Sequence, residues 1–370
     1  MRNVDRRKWL KTIGLSSGLA LLGGMDVLAI EQISKTVSND APIRLNANEN
    51  PYGPSKRVRK AIIDNFDKAC RYPFYYLKSL VEAIAEKEGV SKEHIVVTGG
   101  SGEGLCAAGL VYGMAGGEII AADPTFQQIL RYAHVHGAHV HRVPVNADMK
   151  HDLEAMEKRI TNKTSLVYIC NPNNPTGTII EKNKLHDFCS SVSEKTVVFS
   201  DEAYYDFITE PDYPSMIELV KKGLNVIVSK TFSKVYGMAG LRVGYLVTRP
   251  DIATRLKSSV MARTNILAIA AAKEALLDDE FYKFSILKAK EAKNHIYKTL
   301  DELNLEYVRS HTNFVFFKSG RPIENLIAQM NNEGIAIGRP FPPFVNWARI
   351  STGTTEQVEQ FGKALKKVMG

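Results

Sequence analysis

Lys234 stands in the run Ser229-Lys230-Thr231-Phe232-Ser233-Lys234-Val235-Tyr236-Gly237-Met238-Ala239-Gly240-Leu241, and Arg242 follows it by eight residues. The hydroxyls of Thr231 and Ser233 and the guanidinium of Arg242 suit a phosphate. Glycines let the backbone come close to a ligand. A lysine amine held among them can form a Schiff base with a carbonyl compound. The stretch therefore reads as a site for an aldehyde that carries a phosphate. The competing reading of this segment alone is a solvated lysine in a glycine-rich loop.

Other polar clusters follow short apolar runs in the same way. Ile95–Thr98 leads into Gly99-Gly100-Ser101-Gly102-Glu103-Gly104 and then an apolar helix from Leu105 to Tyr112. Strand, glycine turn and helix start aim backbone N–H groups and a positive helix end at an anion, which makes Ser101 and Gly102 phosphate candidates. Glu118–Asp123 runs into Pro124-Thr125-Phe126, and Ser165–Cys170 runs into Asn171-Pro172-Asn173-Asn174-Pro175-Thr176-Gly177. Val197–Ser200 ends in Asp201, with Tyr204 three residues on. A carboxylate at the end of a buried strand needs a cationic partner, and a protonated pyridine nitrogen would serve. Strands alternating with helices from Ile95 to Val247 predict an α/β fold whose ligand groups gather at the strands' carboxyl ends.

The flanking segments are different in kind. Ile43-Arg44-Leu45-Asn46-Ala47-Asn48-Glu49-Asn50-Pro51-Tyr52-Gly53-Pro54-Ser55 predicts an extended, turning entry, with Ser55 capping a helix that runs to about Cys70. Arg71-Tyr72-Pro73 precedes a helix expected from Leu77 to Glu88. Segments 252–277 and 280–303 have helical patterning with charged faces. A small unit follows, with a strand at Asn313–Phe317, a helix at Ile323–Glu333 and a strand at Ile335–Ile337. It ends in Arg339, a proline- and phenylalanine-rich loop over Pro340–Phe344, and Arg349.

From Ile43 to Gly353 these motifs, in this order, resemble the fold-type I pyridoxal 5'-phosphate (PLP) aminotransferases of class I/II, most closely the histidinol-phosphate aminotransferases. The resemblance implies an α/β fold with a large domain around a mostly parallel seven-stranded sheet, plus a small α+β domain. It divides the chain into residues 30–70 in the small domain, 71–264 in the large PLP-binding domain and 265–370 back in the small one. It implies that Lys234 holds the cofactor, Asp201 the ring nitrogen, Asn174 and Tyr204 the ring oxygen, and that Phe126 stacks on the ring. Ser101, Gly102, Thr231, Ser233 and Arg242 would hold the phosphate, with Tyr72 reaching the neighbouring subunit of a homodimer. The entry loop with Tyr52 would close over substrate, while Arg349, Arg339 and Asn174 would bind it. The implied reaction moves an amino group from an amino acid or amino-phosphate donor to a 2-oxo acid such as 2-oxoglutarate. A PLP decarboxylase or lyase would keep the same cofactor residues. The chain departs from the family at Phe74-Tyr75-Tyr76 and in the loop after Arg339, which is shorter than usual. That departure points to ordinary amino acids, aromatic ones included, as better donors than histidinol phosphate.

The whole sequence of 370 residues has 44% hydrophobic residues and a net charge of +8. No dense basic run with interleaved aromatics occurs, which argues against nucleic acid as a partner. Cys70, Cys106, Cys170 and Cys189 form no CxxC pair and read as free thiols. His134, His136, His139 and His141 alternate like one solvated face of a strand, without companion metal ligands. Residues 1–29 read as an export signal: Arg6-Arg7 in a charged start resembles a twin-arginine signal, a glycine- and serine-rich apolar run follows, and Val27-Leu28-Ala29 offers a cleavage region. Export through the membrane to the periplasm is the expectation, with a cytoplasmic location as the alternative.

Overall fold

The computed structural model describes residues 41–370. The segment 1–29, expected to be an export signal, lies outside the described residues. Among those described, no helix is long and apolar enough to cross a membrane.

The described residues form twelve strands: β1 (Ile43–Arg44), β2 (Ile95–Thr98), β3 (Glu118–Asp123), β4 (His139–Pro144), β5 (Thr164–Cys170), β6 (Val197–Asp201), β7 (Val226–Thr231), β8 (Gly244–Thr248), β9 (Tyr307–Val308), β10 (Phe314–Lys318), β11 (Ile335–Ala336) and β12 (Trp347–Ser351). Seven of them make one sheet in the order β2-β8-β7-β6-β5-β3-β4. Its pairs are parallel except those of β8, which is antiparallel to both β2 and β7. The near-continuous apolar runs are explained by burial on both faces. In β5, Val167 and Ile169 join one apolar cluster, while Leu166 and Tyr168 join the other. Helices Lys182–Ser193 and Ile266–Leu276 cover the first face; Ser101–Gly113, Gln128–Val135 and Pro250–Lys257 cover the second.

The smaller cluster gathers around β10, which pairs antiparallel with β9 and β12. Leu45, Ile296, Leu300, Val315, Phe317, Ile350, Phe361 and Leu365 form its core. The entry segment joins it through β1, parallel to β11, and through the Ser351 N–H to the Leu45 carbonyl at 2.9 Å. The boundaries expected at 70/71 and 264/265 do not follow the packing. Val58, from the helix Lys56–Asp64, and Ala268, Ile269, Ala271 and Ala272, from Ile266–Leu276, belong to the large-sheet cluster.

Local departures have local causes. The helix capped by Ser55 stops at Asp64 and continues as a 3-10 turn, Phe66–Cys70. The helix expected from Leu77 starts at Phe74, so the aromatic triplet is its first turn. Segment 252–277 breaks between Lys257 and Ile266, where the Glu103 carboxylate accepts the Met261 and Ala262 N–H groups at 3.0 Å and Asn265 caps the next helix. His134 and His136 close a helix, and only His139 and His141 lie on a strand, so the four do not share one strand face. All four cysteines are free.

Candidate active site

The carboxyl ends of β5, β6 and β7 deliver the central residues. Asn174 follows β5, Asp201 closes β6 and Lys234 lies three residues beyond β7. Arg349 comes from β12 in the small cluster. The structure joins Asn174, Lys234 and Arg349 in one chain of contacts through Tyr204 and Asn48, and Asp201 has partners of its own. Arg349 donates from one terminal nitrogen to Asn174 Oδ1 at 2.7 Å and from the other to the Asn46 carbonyl at 2.9 Å. Asn174 Nδ2 donates to the Tyr204 hydroxyl at 3.5 Å. Asn48 Nδ2 donates to the same hydroxyl at 2.9 Å, and Lys234 Nζ donates to the Asn48 carbonyl at 2.9 Å.

Asp201 is 3% exposed and accepts from the Tyr168 hydroxyl at 3.0 Å and the Ala203 N–H at 3.2 Å. Burial pushes its carboxyl up to about 6, against the pull of those two donors. Burial, then the Arg349 charge, draws the Lys234 amine down to about 8. Burial also lowers the Arg349 guanidinium to about 10. The tyrosine hydroxyl at 204 is pushed up to about 12 by burial, against Arg349 and the Asn48 hydrogen bond.

A second group surrounds the glycine turn. The helix Ser101–Gly113 starts at Gly100, whose φ of 84° lies in the left-handed region that glycine tolerates. A Cβ at Gly100 would collide with the Arg242 guanidinium. Arg242 donates to the Gly99 carbonyl at 3.2 Å and to the Ala239 carbonyl at 2.8 Å. Gly244, just beyond Arg242, packs its Cα against the Ser101 N–H and the Lys230 carbonyl, so the turn and the lysine segment are adjacent. Thr231 and Ser233 are buried there, with the Ser233 N–H donating to Thr231 Oγ1 at 3.1 Å. Gly102 sits in the first turn of that helix. Phe126 is half-buried and packs on the cluster that holds Tyr168 and Cys170.

Three expected residues are not part of this contact chain. Tyr72 is 83% exposed and touches Phe74. Tyr52 is half-buried edge-on to Phe284. Arg339 is exposed, donates to the Pro340 carbonyl at 2.8 Å and lies over the Phe341 ring.

The structure also adds residues that motif reading missed. Asn48 sits in a quoted motif, but nothing in its spacing singled it out. Tyr168 reaches Asp201 only because β5 and β6 pair in register. Lys230, four residues before Lys234, is held by Glu202 at 2.8 Å and lies over the Tyr205 ring at 3.9 Å. Burial lowers its proton affinity, but Glu202, Glu88 and Asp206 more than reverse this, so the net direction is up. Two nearby lysines are thus driven opposite ways, and Lys234 is the one made available as a neutral amine.

This arrangement fits PLP group by group. Asp201 is a buried carboxylate suited to a ring-nitrogen cation. The glycine turn, Arg242 and the hydroxyls suit the phosphate. The Arg349 Nε is buried without a partner among the described residues, as expected of a guanidinium that receives an anion.

Comparison with known proteins agrees. The model of the family "Aminotransferase class I and II" matches residues 40–365. A histidinol-phosphate aminotransferase of Moorella thermoacetica is 37% identical over 92% of this chain and 89% of its own length. Histidinol-phosphate aminotransferase 1 of Bacillus cereus is 34% identical, covering 92% of each chain. The solved structure of histidinol-phosphate aminotransferase from Sinorhizobium meliloti, in complex with pyridoxal-5'-phosphate, superposes with a TM-score of 0.83 at 26% identity, over 94% of this chain and 95% of that one. L-threonine-O-3-phosphate decarboxylase from Porphyromonas gingivalis shares the fold at 22% identity and a TM-score of 0.75, over 88% of this chain and 98% of that one. The fold alone therefore does not separate transfer from decarboxylation. With the matched family and its relatives added, the chain belongs to the class I and II aminotransferases and is a PLP-dependent transaminase.

Proposed function

We propose that this enzyme moves the amino group of an anionic donor to a 2-oxo acid, with Lys234 as the amine that binds the cofactor carbonyl and carries the proton. The observation behind this reading is geometric: the strand ends place a buried Lys234 amine on the Asn48 carbonyl, a buried Asp201 carboxyl on Tyr168 and the Arg349 guanidinium on Asn174, and burial draws Lys234 down to about 8 and pushes Asp201 up to about 6. When bound, PLP supplies an electron sink for the bonding pair released at the donor's Cα. Asp201 stabilises positive charge on the ring nitrogen. Lys234, drawn down to about 8 and so neutral in part at that pH, would take the Cα proton and return it on the other side of the transfer. Tyr204 and Asn174 would hold the ring oxygen, and Phe126 would stack on the ring. Ser101, Gly102, Thr231, Ser233 and Arg242 would hold the phosphate. Arg349 receives a carboxylate, with Tyr52 in the loop that closes the site.

For the donor, the aromatic wall of Phe316, Phe341, Phe344 and Trp347 around Arg349 favours an amino acid with an apolar side chain. A second reading, histidinol phosphate, is favoured by Arg339 and Arg131. Burial, then the Arg131 charge, draws the Arg339 guanidinium down, and neither arginine has a carboxylate partner among the described residues. Steady-state kinetics with aromatic amino acids and histidinol phosphate, each against 2-oxoglutarate, separates the two. The expected result is a higher kcat/KM for the amino acid, falling on the order of 30-fold or more in Arg349→Lys because lysine cannot reproduce the two-pronged contact. A higher kcat/KM for histidinol phosphate, lost in Arg339→Ala, selects the second reading.

Two further proposals concern the whole protein. The exposed Tyr72 supports a homodimer in which it reaches the neighbouring phosphate site. Arg6-Arg7 and the weakly apolar run behind them support export by a twin-arginine route. Arg6→Lys with Arg7→Lys should leave the protein in the cytoplasm on fractionation, and undiminished periplasmic recovery would refute that route.

A further inference from the structure

Tyr204 stands between two amides. Its hydroxyl oxygen accepts from Asn48 Nδ2 at 2.9 Å and from Asn174 Nδ2 at 3.5 Å. Asn174 is oriented by Arg349, which only donates and therefore takes the amide oxygen. Asn48 is oriented by Ser351, whose Oγ accepts the Asn48 N–H at 2.8 Å and gives its own hydrogen to Asn48 Oδ1 at 2.9 Å. With two N–H groups on its oxygen, the phenol keeps its own hydrogen for another acceptor, and no described residue takes it. The Lys234 Nζ lies 5.4 Å from the centre of the same ring.

Asparagine is one of the few residues with a side chain that suits that place. Asn48 is 2% exposed, and its φ of 53° is in the left-handed region that few residues adopt without local support. Its carbonyl takes both Lys234 Nζ, at 2.9 Å, and Asn313 Nδ2, at 3.0 Å. Ser351 closes β12 and Asn313 precedes β10 in the small cluster, whereas Lys234 and Tyr204 follow strands of the large sheet. One buried side chain and its own carbonyl thus tie the small cluster to both the amine and the phenol of the site.

We propose that Asn48 is a positioning residue that sets how strongly Tyr204 donates to the ring oxygen of bound PLP. The inference rests on the assignment of Lys234 and Tyr204 to the cofactor made above. An N–H donated to a hydroxyl oxygen polarises its O–H, so the next hydrogen bond in the chain is stronger. A stronger donor at the ring oxygen stabilises negative charge there. The proton held between that oxygen and the Lys234 nitrogen is then bound less tightly. Loss of the Asn48 amide reverses this and raises the pH at which the proton leaves. The contact to Lys234 is made by the backbone carbonyl, so a side-chain change separates the two roles of Asn48.

The test is a pH titration of the visible absorbance of the PLP-loaded enzyme, with borohydride trapping to show the cofactor on Lys234. Asn48→Gly removes the amide and relaxes the left-handed backbone. Its midpoint should rise by about half a pH unit, roughly a threefold gain in proton affinity, in the same direction as Tyr204→Phe. Ser351→Ala, which frees the Asn48 amide to turn, should move the midpoint the same way by less, and decides the matter if Asn48→Gly does not fold. A merely structural role would lower PLP retention or melting temperature and leave the midpoint where it was. Wild-type midpoints in Asn48→Gly and Ser351→Ala, beside a raised one in Tyr204→Phe, would overturn the inference and leave the cofactor assignment standing. Wild-type enzyme with no absorbance trapped on Lys234 would instead remove the assignment, and the inference with it.

Discussion

Asp201 shows what a single residue carries in this protein. Its carboxyl is buried and receives one phenol and one backbone N–H. An isolated carboxyl titrates near 3.8, and this one titrates near 6 because burial disfavours its charge. The raised value means that the folded, cofactor-free chain binds this proton more tightly than the unfolded chain. The stabilising contribution is therefore complete below about pH 4 and is lost as pH rises through about 6, a loss of about 3 kcal/mol. Asp201→Asn keeps the shape and removes the titration. Urea unfolding of cofactor-free protein should show the wild type losing stability relative to Asp201→Asn between pH 4 and 7. PLP should restore that stability by supplying the missing cation. Parallel profiles for the two proteins would refute this account. The motif reading placed Asp201, but it did not find Tyr168, because the two meet only across the register of β5 and β6.

At the scale of elements, the ends of β6 and β7 are clamped by Glu202 and Lys230. Their side chains are 3% and 12% exposed, and Glu202 also accepts from Ser215 Oγ at 2.7 Å and the Met216 N–H at 2.8 Å. This pair fixes the two strand ends from which Asp201 and Lys234 project. It also keeps Lys230 charged and engaged, so the segment offers one reactive amine. Removing one member of a buried pair leaves the other uncompensated, which typically costs about 3–5 kcal/mol. Glu202→Gln should lower unfolding stability by that order, measured by denaturant titration, with borohydride labelling still confined to Lys234. A change under about 1 kcal/mol would show that the clamp is dispensable. The sequence displays Asp201-Glu202 as one polar doublet, and only the pairing of β6 with β7 assigns the second carboxylate to Lys230.

For the molecule as a whole, the notable surface is aromatic. Tyr72, Phe74 and Tyr75 are 83%, 62% and 86% exposed, and Phe66 and Met261 are 64% and 83% exposed. Exposed large apolar side chains of this kind support the proposal of a contact surface between two chains. A two-fold dimer would cover them and bring Tyr72 to the other chain's phosphate group. Tyr72→Phe removes one hydrogen bond to a charged group, so PLP should bind roughly tenfold more weakly while the dimer persists. Sedimentation and cofactor titration check the two halves of this statement. A fully active monomer would rule it out.

The sequence by itself marked the buried strands β2, β3, β5, β6 and β10, the glycine turn and the order of polar groups at the strand ends. These are properties of a few consecutive residues: two-sided burial demands an apolar run, and a tight turn toward an anion demands glycine. It likewise singled out Lys234, Asp201, Asn174, Tyr204 and Arg349 as candidates, because each stands in a local motif. Tertiary structure alone decided how those groups work. Asn48 and Lys234 are 186 residues apart, Arg349 and Asn174 are 175 apart, and each pair meets in a hydrogen bond. It also decided that Ile266–Leu276 packs with the large sheet, since a patterned helix does not announce which core will bury its apolar face. Proton affinities followed the same division. A lysine's charge is written in its side chain, but whether it stays charged, as at Lys230, or is drawn down to about 8, as at Lys234, depends on which carboxylates, guanidiniums and apolar walls the fold sets around it.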